Sequence, residues 1–467
     1  MPDDKRRFAL RESSEADKPD NPSLNHVSIE GLHTDATTDL SRNNPNETKT
    51  AKIHFEGTID IRVDNHLELS VLANRIAELD LDTTLLEETV TSLNEELVSD
   101  YCGVKHVWGN GDKRYQRAST STRSTVTNLG EHRFTLHYVK DTNADEEDNT
   151  YFRPIEDILS FTGQRVYQQD ILAKSVLLHF DYRLSYRKVS DLLSQTTGSN
   201  ISPTTVECAG EYLYPQARKE YEAIQEQIQQ ADVLHIDEAK FPVDSETYWL
   251  WGFTTGEETL YALRESRSSE VLEDILGETF SGVIVCDGYS AYPAFHSRLQ
   301  RCWAHLFPDK YELSENDNEA QSVCESLREL RNGLEKFSDT EPTPLQRIVV
   351  QREARKRLED IIVEGAESKQ AVDILDTLQR GLGDWLRFVT HPNVPSTNNQ
   401  AEAAFGEPKM MKKLMQQLQN ERGVRFYETY MSLIQTWKER DKTPYSELCR
   451  LAQEIGEHHT NAHDAWD

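Results

Sequence analysis

The chain has 467 residues, of which 81 are Asp or Glu and 51 are Lys or Arg, so its formal net charge is −30. This balance excludes a protein that holds nucleic acid through an overall basic surface, because such a surface needs an excess of Lys and Arg. The composition predicts a halophile protein whose surface carboxylates keep it hydrated in concentrated salt. The alternatives are an acidic mesophilic protein or acidic disordered tails.

The N-terminal part changes from a polar tail to a heptad pattern. Residues 1–55 are rich in Asn, Asp, Ser and Thr without periodicity, which predicts a disordered tail. Residues 56–100 carry apolar residues at alternating spacings of four and three, which predicts a coiled coil that joins two chains as a homodimer. An antiparallel helix pair within one chain is the alternative. Thr83 interrupts a seam formed by Leu72, Ile76, Leu79, Leu86, Val90, Leu93 and Leu97.

Two smaller segments follow. Residues 101–150 predict a small β-rich segment, because apolar and polar residues alternate from His132 onward. Residues 151–230 predict a helical domain in which a short helix, a glycine turn and a helix beginning at Pro203 succeed one another. This outline is typical of a helix-turn-helix DNA-binding domain, although plain helical domains share it. Its candidate DNA contacts are Arg187, Lys188, Thr204 and Thr205.

Residues 231–312 carry acids on predicted strands. Three strands precede a helix and a buried strand that ends at Asp287, and this is the element order of an α/β RNase H-like core. In such a core the first and fourth strands lie side by side, so Asp237 and Asp287 would face each other. Close carboxylates repel, and Mg²⁺ or Mn²⁺ relieves that conflict. Because acids are frequent in this chain, either Asp alone could be structural. The predicted strands are 233–243, 247–253, 259–263, 282–289 and 301–305.

Helices dominate the rest of the chain. Residues 313–390 have helical periodicity and predict an insertion into the core. Residues 391–440 return to the core with a helix that carries Glu402 in its first turns. A lysine cluster then offers phosphate contacts or forms a solvated helix face. A C-terminal helix and tail occupy residues 441–467. The lysines are Lys409, Lys412 and Lys413.

Three negative signals predict a cytoplasmic protein without a membrane partner. No stretch of about 18 apolar residues is present, so no transmembrane helix is expected. The segment from Met1 to Lys5 is not followed by the apolar region of a secretory signal. The six Cys residues include no Cys-x-x-Cys pair, which argues against a disulfide framework and a Cys-rich zinc site.

Five segments carry a more specific signal: HIDEAKF, YWLWGF, GVIVCDGYSAY, RCWAH and STNNQAEAAF. Together they resemble the DDE transposases of prokaryotic insertion sequences, most closely the insertion-sequence 66 type and its relatives, over about residues 230–440. The resemblance implies that Asp237, Asp287 and Glu402 are the catalytic and metal-binding acids. It also implies two Mg²⁺ or Mn²⁺ ions, cleavage at the terminal inverted repeats and transfer of the freed 3′-OH into target DNA.

The sequence departs from this family after two of the motifs. The family commonly has AER and further Arg residues at the Glu, whereas Ala403 follows Glu402 here. The family tends to be basic after CWAH, whereas Leu306 and Phe307 follow His305 here. Cys302 and His305 have metal-ligand spacing but are only two ligands, so they are expected to pack, or His305 to contact a DNA phosphate. The rival functions are an inactivated copy that only binds DNA and a nuclease of the same fold.

Overall fold

The structure is a computed structural model that describes residues 27–39, 50–61, 81–105, 113–142, 151–157, 167–307, 317–406, 408, 418 and 420–464. The chain divides into two compact units. The first comprises Met1–Leu172, Ser190–Ser202 and Gly456–Asp467, and the second comprises Ala173–Val189 and Pro203–Ile455. Three sheets and many helices in these ranges make it a mixed α/β protein. None of the helices described is both long and apolar enough to cross a membrane.

The first unit contains two antiparallel sheets. Strands β1 and β2 pair with each other, and helix α1 is followed by a sheet in the order β3-β4-β5. The bounds are β1 Val27–Asp39, β2 Thr50–Ile61, α1 Leu81–Gly103, β3 Tyr115–Thr127, β4 Gly130–Asp141 and β5 Tyr151–Phe152. The structure therefore differs from the predicted disordered tail over 1–55, because β1 and the first half of β2 fall within it. Burial alternates in β4 up to Leu136, as the β-rich prediction requires.

The predicted coiled coil is not formed by the described part of its seam. Val90, Leu93 and Leu97 are buried in one core with residues of β4 and of the 3₁₀ turn Pro154–Asp157 after β5, and Leu86 packs against that core. Side chains that cover their own sheet are not available to a partner helix. An apolar stripe at heptad spacing specifies one buried helix face but not what covers it. Residues 56–61 belong to β2, and Leu72, Ile76 and Leu79 lie outside the described residues.

Three helices link the sheets in sequence. They are α2 Gln169–Phe180, α3 Tyr186–Thr197 and α4 Pro203–Gln229. Helix α4 begins at Pro203, as the sequence predicts, since proline is favoured in the first helical turn. Gly198 in the turn before it has a φ of 67°, a left-handed conformation that glycine adopts without a steric penalty. The order of helix, turn and helix agrees with the prediction, and its role in DNA binding stays a prediction.

The second unit is built on a five-stranded sheet with the order β10-β9-β6-β7-β8. Strands β6, β7 and β8 are antiparallel neighbours, whereas β9 runs parallel to β6 and β10 parallel to β9. The predicted adjacency of the first and fourth strands is confirmed by the pairing of His235 with Val285. The bounds are β6 Val233–Val243, β7 Glu246–Thr254, β8 Thr259–Arg264, α5 Ser269–Leu276, β9 Val283–Cys286, α6 Ala291–Phe295 and β10 Leu299–Arg301.

The fifth strand was predicted at the wrong residues. Strand β10 ends at Arg301, and Trp303–Leu306 form a 3₁₀ turn rather than a strand. Arg301, Cys302 and Trp303 are all buried, and continuous burial does not distinguish a strand from a buried turn in the sequence. The turn is closed by the His305 amide, which donates to the Cys302 carbonyl at 3.2 Å. This turn brings Cys302 and His305 together.

Helices α7 to α10 fill the predicted insertion and share one hydrophobic core with the sheet. Val283 and Val285 of β9 and Trp303 pack in the same cluster as residues of these helices, so the described part of the insertion is not a separate body. Two long helices follow the short α11. The bounds are α7 Asn318–Ser338, α8 Pro344–Glu364, α9 Lys369–Arg380, α10 Arg387–Thr390, α11 Asn399–Ala404, α12 Glu421–Glu439 and α13 Pro444–Asp464.

Candidate active site

Three neighbouring strands place one polar side chain each at the same level of the sheet. His235 pairs with Val285, so two residues further along Asp237 and Asp287 occupy equivalent positions on one face. The pairing of Arg301 with Cys286 places Cys302 next to Asp287 in the same way. We call Asp237, Asp287 and Cys302 the polar row. The two carboxylates that the sequence predicts to be neighbours therefore lie on adjacent strands and face the same side.

Local backbone contacts orient both Asp side chains. The Oδ1 atom of Asp237 accepts a hydrogen bond of 3.0 Å from the amide of Glu238. The Oδ1 atom of Asp287 accepts one of 2.8 Å from the amide of Tyr289. Asp287 directly follows the last residue of β9, and this turn holds its carboxylate at the end of the strand. Both residues are half-buried, so part of each remains accessible to solvent.

Asn398 connects the beginning of α11 to β6 and to the polar row by hydrogen bonds. Its Nδ2 donates to the carbonyl of Ile236 at 2.8 Å, and its Oδ1 lies 2.9 Å from His235 Nδ1. Burial lowers the pKa of His235, so its neutral ring donates this hydrogen bond. The Asn398 amide donates to the Cys302 sulfur at 3.1 Å. One buried side chain thus ties α11 to β6 and, through its backbone, to the row.

Glu402 follows one turn later on α11. Its amide donates to the Asn398 carbonyl at 3.2 Å, and its Oε1 lies 3.9 Å from His305 Nε2. The helix approaches the sheet closely because Gly252, the β7 partner of Asp237, has no side chain. A Cβ atom there would overlap the buried ring of Phe405, which follows α11. This contact holds α11 against the face of the sheet that carries the two Asp residues, although the oxygens of the three acids do not all lie within 4.8 Å of one another.

Cys302, His305 and Glu402 form a compact cluster. Their ligand atoms all lie within 4.8 Å of one another. The hydrogen bond to Cys302 raises the pKa of His305 to about 9 against the opposing effect of burial, and the charges of Glu402 and Asp287 add to the rise. Burial alone would raise the pKa of Cys302, but hydrogen bonds from His305 and Asn398 lower it below its usual value. His305 is therefore cationic at neutral pH.

A buried ion pair lies beside the row. Glu238 follows Asp237 in β6, so its side chain points to the opposite face, where it is fully buried and hydrogen-bonded by Arg267 and Tyr292. The Arg267 guanidinium lies 4.0 Å from Asp287 Oδ2 and stacks on two aromatic rings. Its central carbon is 3.6 Å from the ring centre of Tyr289 and 4.7 Å from that of Trp249. Burial raises the pKa of Glu238, and its two hydrogen bonds oppose this rise.

Sequence reasoning missed Asn398 as a positioning residue and missed Glu238 and Arg267 entirely. Glu238 directly follows Asp237 on a predicted strand, so its side chain must face the opposite side of the sheet. An acid at such a position is the signal that could have indicated a buried cationic partner. The other predicted contacts lie on α3 and α4, outside the elements that form the row. Arg187, Lys188 and Thr204 are exposed and Thr205 is half-buried. The predicted Lys409, Lys412 and Lys413 lie outside the described residues.

The donor chemistry of the site fits hard divalent cations. Asp237, Asp287 and Glu402 supply carboxylate oxygens, the ligands that Mg²⁺ and Mn²⁺ prefer. Cys302 and His305, at the side of the same site, supply softer sulfur and nitrogen donors.

The comparison with protein families gives one match. The profile of the family described as "Transposase IS66 family" matches residues 164–425, more than half of the chain and the whole of the site. No curated protein sequence matches it.

Proposed function

The chain belongs to the transposase IS66 family, and from this premise we propose that it cleaves DNA at the ends of an insertion sequence and joins the freed 3′-OH to target DNA. The observation that carries the proposal is the register that puts Asp237 and Asp287 on adjacent strands, with Glu402 on the helix above them. The strand order supports an RNase H-like core for this site, with α7 to α10 as its helical insertion.

In this proposal the three acids hold two Mg²⁺ or Mn²⁺ ions. Such ions would activate the attacking oxygen and stabilise the leaving oxygen of a phosphodiester. Asn398 sets the distance between α11 and β6, so it keeps Glu402 over the row. His305 is cationic and exposed on the same side, so it can donate to a DNA phosphate beside the acids.

The remaining DNA contacts are proposals from exposure and residue type. Arg187 and Lys188 project from the first turn of α3, and Thr204 from the first turn of α4, where backbone amides favour a phosphate. Lys409, Lys412 and Lys413 follow α11 in sequence. Two element ends must be held together during transfer, so we propose a homodimer. The seam residues Val90, Leu93 and Leu97 of α1 are not available as its interface, because they cover their own sheet.

The test is end cleavage in high salt with Mn²⁺ or Mg²⁺. We expect the parent protein to release a 3′-OH at the element end and Asp237→Asn to have no activity above background. Asp232→Asn is the matched control, because Asp232 is an exposed acid just before the same strand and is expected to keep parental activity. Parental cleavage by Asp287→Ala would contradict the proposal.

Two outcomes would identify the rival functions. An inactivated copy would bind element-end DNA without metal-dependent cleavage. A nuclease would cleave, but a pre-cleaved element end with a free 3′-OH would not become joined to a target duplex. We expect joining by the parent protein and by Asp232→Asn, and none by Glu402→Gln.

A further inference from the structure

We propose that Cys302, His305 and Glu402 form a second metal site, suited to Zn²⁺ or a similar transition-metal ion. This site competes for Glu402 with the acidic site, which consists of Asp237, Asp287 and Glu402, and it thereby inhibits the enzyme. The inhibitory consequence rests on the proposed function, whereas the site itself does not. Nothing in the family match assigns a metal to Cys302 or His305.

The donor set carries the proposal. Thiolate, imidazole and carboxylate are the protein ligands of Zn²⁺, and sites with three such ligands leave a fourth position open. The three ligand atoms already lie within 4.8 Å of one another, and His305 Nε2 is 3.9 Å from Glu402 Oε1. A tetrahedral ion with bonds of about 2.0–2.3 Å holds its ligands about 3.5 Å apart, so only small movements are needed. Two of the side chains are half-exposed and can make them.

The sulfur of Cys302 is prepared for an ion. It is buried, and it accepts a hydrogen bond of 3.1 Å from the Asn398 amide and one from the ring of His305. Backbone amides that donate to a metal-bound ligand orient it and stabilise its charge. The ion would replace the proton that the imidazole and the sulfur share, so one proton leaves to solvent when the ion binds.

The two sites exclude each other because they share one carboxylate. Asp237 and Asp287 offer oxygen ligands to a hard ion on one side of Glu402, and Cys302 and His305 offer softer ligands on the other. A Glu402 side chain bound to the softer ion is withdrawn from the acids of the row. The ratio of hard to soft cations then decides whether the catalytic set is complete.

The first experiment uses Co²⁺ as a spectroscopic substitute for Zn²⁺ on the full chain. We expect a near-ultraviolet thiolate-to-Co²⁺ charge-transfer band that Zn²⁺ abolishes. Cys302→Ser should remove the band, and His305→Gln should weaken Co²⁺ binding by more than about tenfold. Because His305 is half-exposed, the second variant is expected to fold even where the first does not. Cys208→Ser removes an exposed thiol elsewhere and should keep the band.

A second control separates the two metal sites. Asp237→Asn damages the acidic site but leaves all three ligands, so it should keep the band at parental Co²⁺ concentrations. A parent protein without a band, a band unchanged by Cys302→Ser, or a band lost in Asp237→Asn would each overturn the proposed site.

The inhibitory consequence is measured by titrating Zn²⁺ into Mn²⁺-dependent end cleavage, with each variant normalised to its own rate without Zn²⁺. Cys302→Ser should raise the half-inhibitory Zn²⁺ concentration by more than about tenfold. An unchanged value would overturn the competition between the sites. If the parent protein does not cleave DNA at all, the proposed function fails, but the Co²⁺ spectra still decide whether the site exists.

Discussion

Arg267 links the buried acid of β6 to the candidate catalytic acid at the end of β9. Its guanidinium hydrogen-bonds the fully buried carboxylate of Glu238 and lies 4.0 Å from Asp287. Removing one partner of a buried ion pair leaves an uncompensated charge, which is more costly than removing both. The aromatic rings of Tyr289 and Trp249 hold the guanidinium in place. Arg267 is thus both a structural partner and a positioning residue.

We expect Arg267→Ala to lower the free energy of unfolding by about 3 kcal/mol, near the lower end for a buried pair because 29% of the Arg267 side chain is exposed. The double variant Arg267→Met with Glu238→Gln removes both charges and should recover most of this loss. Urea denaturation at neutral pH measures both. A single variant as stable as the parent, or a double variant less stable than the single, would contradict the interpretation.

His179 makes stability depend on pH. Burial lowers its pKa to about 4, although its Nδ1 hydrogen-bonds the Leu184 carbonyl. In the unfolded chain a histidine has a pKa of about 6.5, so between these values the unfolded state binds more protons. The stabilisation is complete above about pH 6.5 and is lost as the pH falls towards 4, with about 2 kcal/mol gone at pH 5.

The His179 effect is measured as the difference between parent and His179→Leu in urea denaturation at pH 7.5 and pH 5. Other groups titrate in this range in both proteins, so the difference isolates His179. We expect the parent to lose more stability than the variant on acidification. Equal losses would show that the pKa of His179 is the same in the folded and unfolded states.

The sequence indicates the acids of the candidate site but not the residues that position them. Asp237 lies on one predicted strand and Asp287 at the end of another. Each strand can be recognised from the apolar pattern of a few consecutive residues, and the order of elements makes the two strands neighbours. Glu402 was predicted by resemblance to a family motif. Arg267 was not predicted, because it lies in an irregular loop and its partner Glu238 lies on strand β6, far away in the sequence. Contacts between distant segments leave no local period in the sequence.

At the scale of elements, helix α12 completes the open edge of the sheet. Strand β8 is an edge strand whose outward amides would be buried without partners. Three side chains of α12, spaced four residues apart, accept hydrogen bonds from three amides of β8, spaced two residues apart. The spacings match because four helical residues advance about 6 Å and two strand residues about 6.8 Å. The pairs are Glu428 with Leu263, Ser432 with Tyr261 and Thr436 with Thr259.

We expect Ser432→Ala to lower the free energy of unfolding by about 1–3 kcal/mol, because it leaves the buried Tyr261 amide without an acceptor. Arg425→Ala is the control, since Arg425 is exposed on the same helix and should change stability by less than about 0.5 kcal/mol. Thermal and urea unfolding of both variants provide the measurement. A Ser432→Ala protein as stable as Arg425→Ala would show that the hydrogen bond contributes nothing.

Whether a predicted strand or helix agrees with the structure depends on what covers each of its faces. Strands β6 to β9 were predicted close to their observed bounds, because their apolar residues are buried in the sheet that they form. The α1 seam was predicted as a homodimer contact, yet Leu93 and its neighbours pack on β4. A heptad stripe is equally satisfied by a helix or by a sheet, so the sequence pattern does not choose between them.

At the scale of the whole molecule, the charge of −30 has to be reconciled with binding to DNA. Concentrated salt weakens phosphate contacts by reducing the gain from counterion release. Direct arginine contacts and helix N-termini depend less on net charge than a diffuse basic surface does. Arg187 on α3 and the beginning of α4 are exposed groups of this kind. We therefore propose that DNA is held locally, by a few groups on an otherwise repulsive surface.

The same charge predicts how stability responds to salt. Repulsion among 81 acidic residues destabilises the compact state, and added salt relieves it. In an acidic mesophilic protein most of the screening is complete by about 0.15 M, where the Debye length is about 8 Å. We expect the thermal unfolding midpoint of this chain to continue rising with KCl well above that concentration, because a halophilic surface gains stability from hydrated ions bound between its carboxylates. A midpoint that levels off near 0.15 M would instead identify the chain as an acidic mesophilic protein.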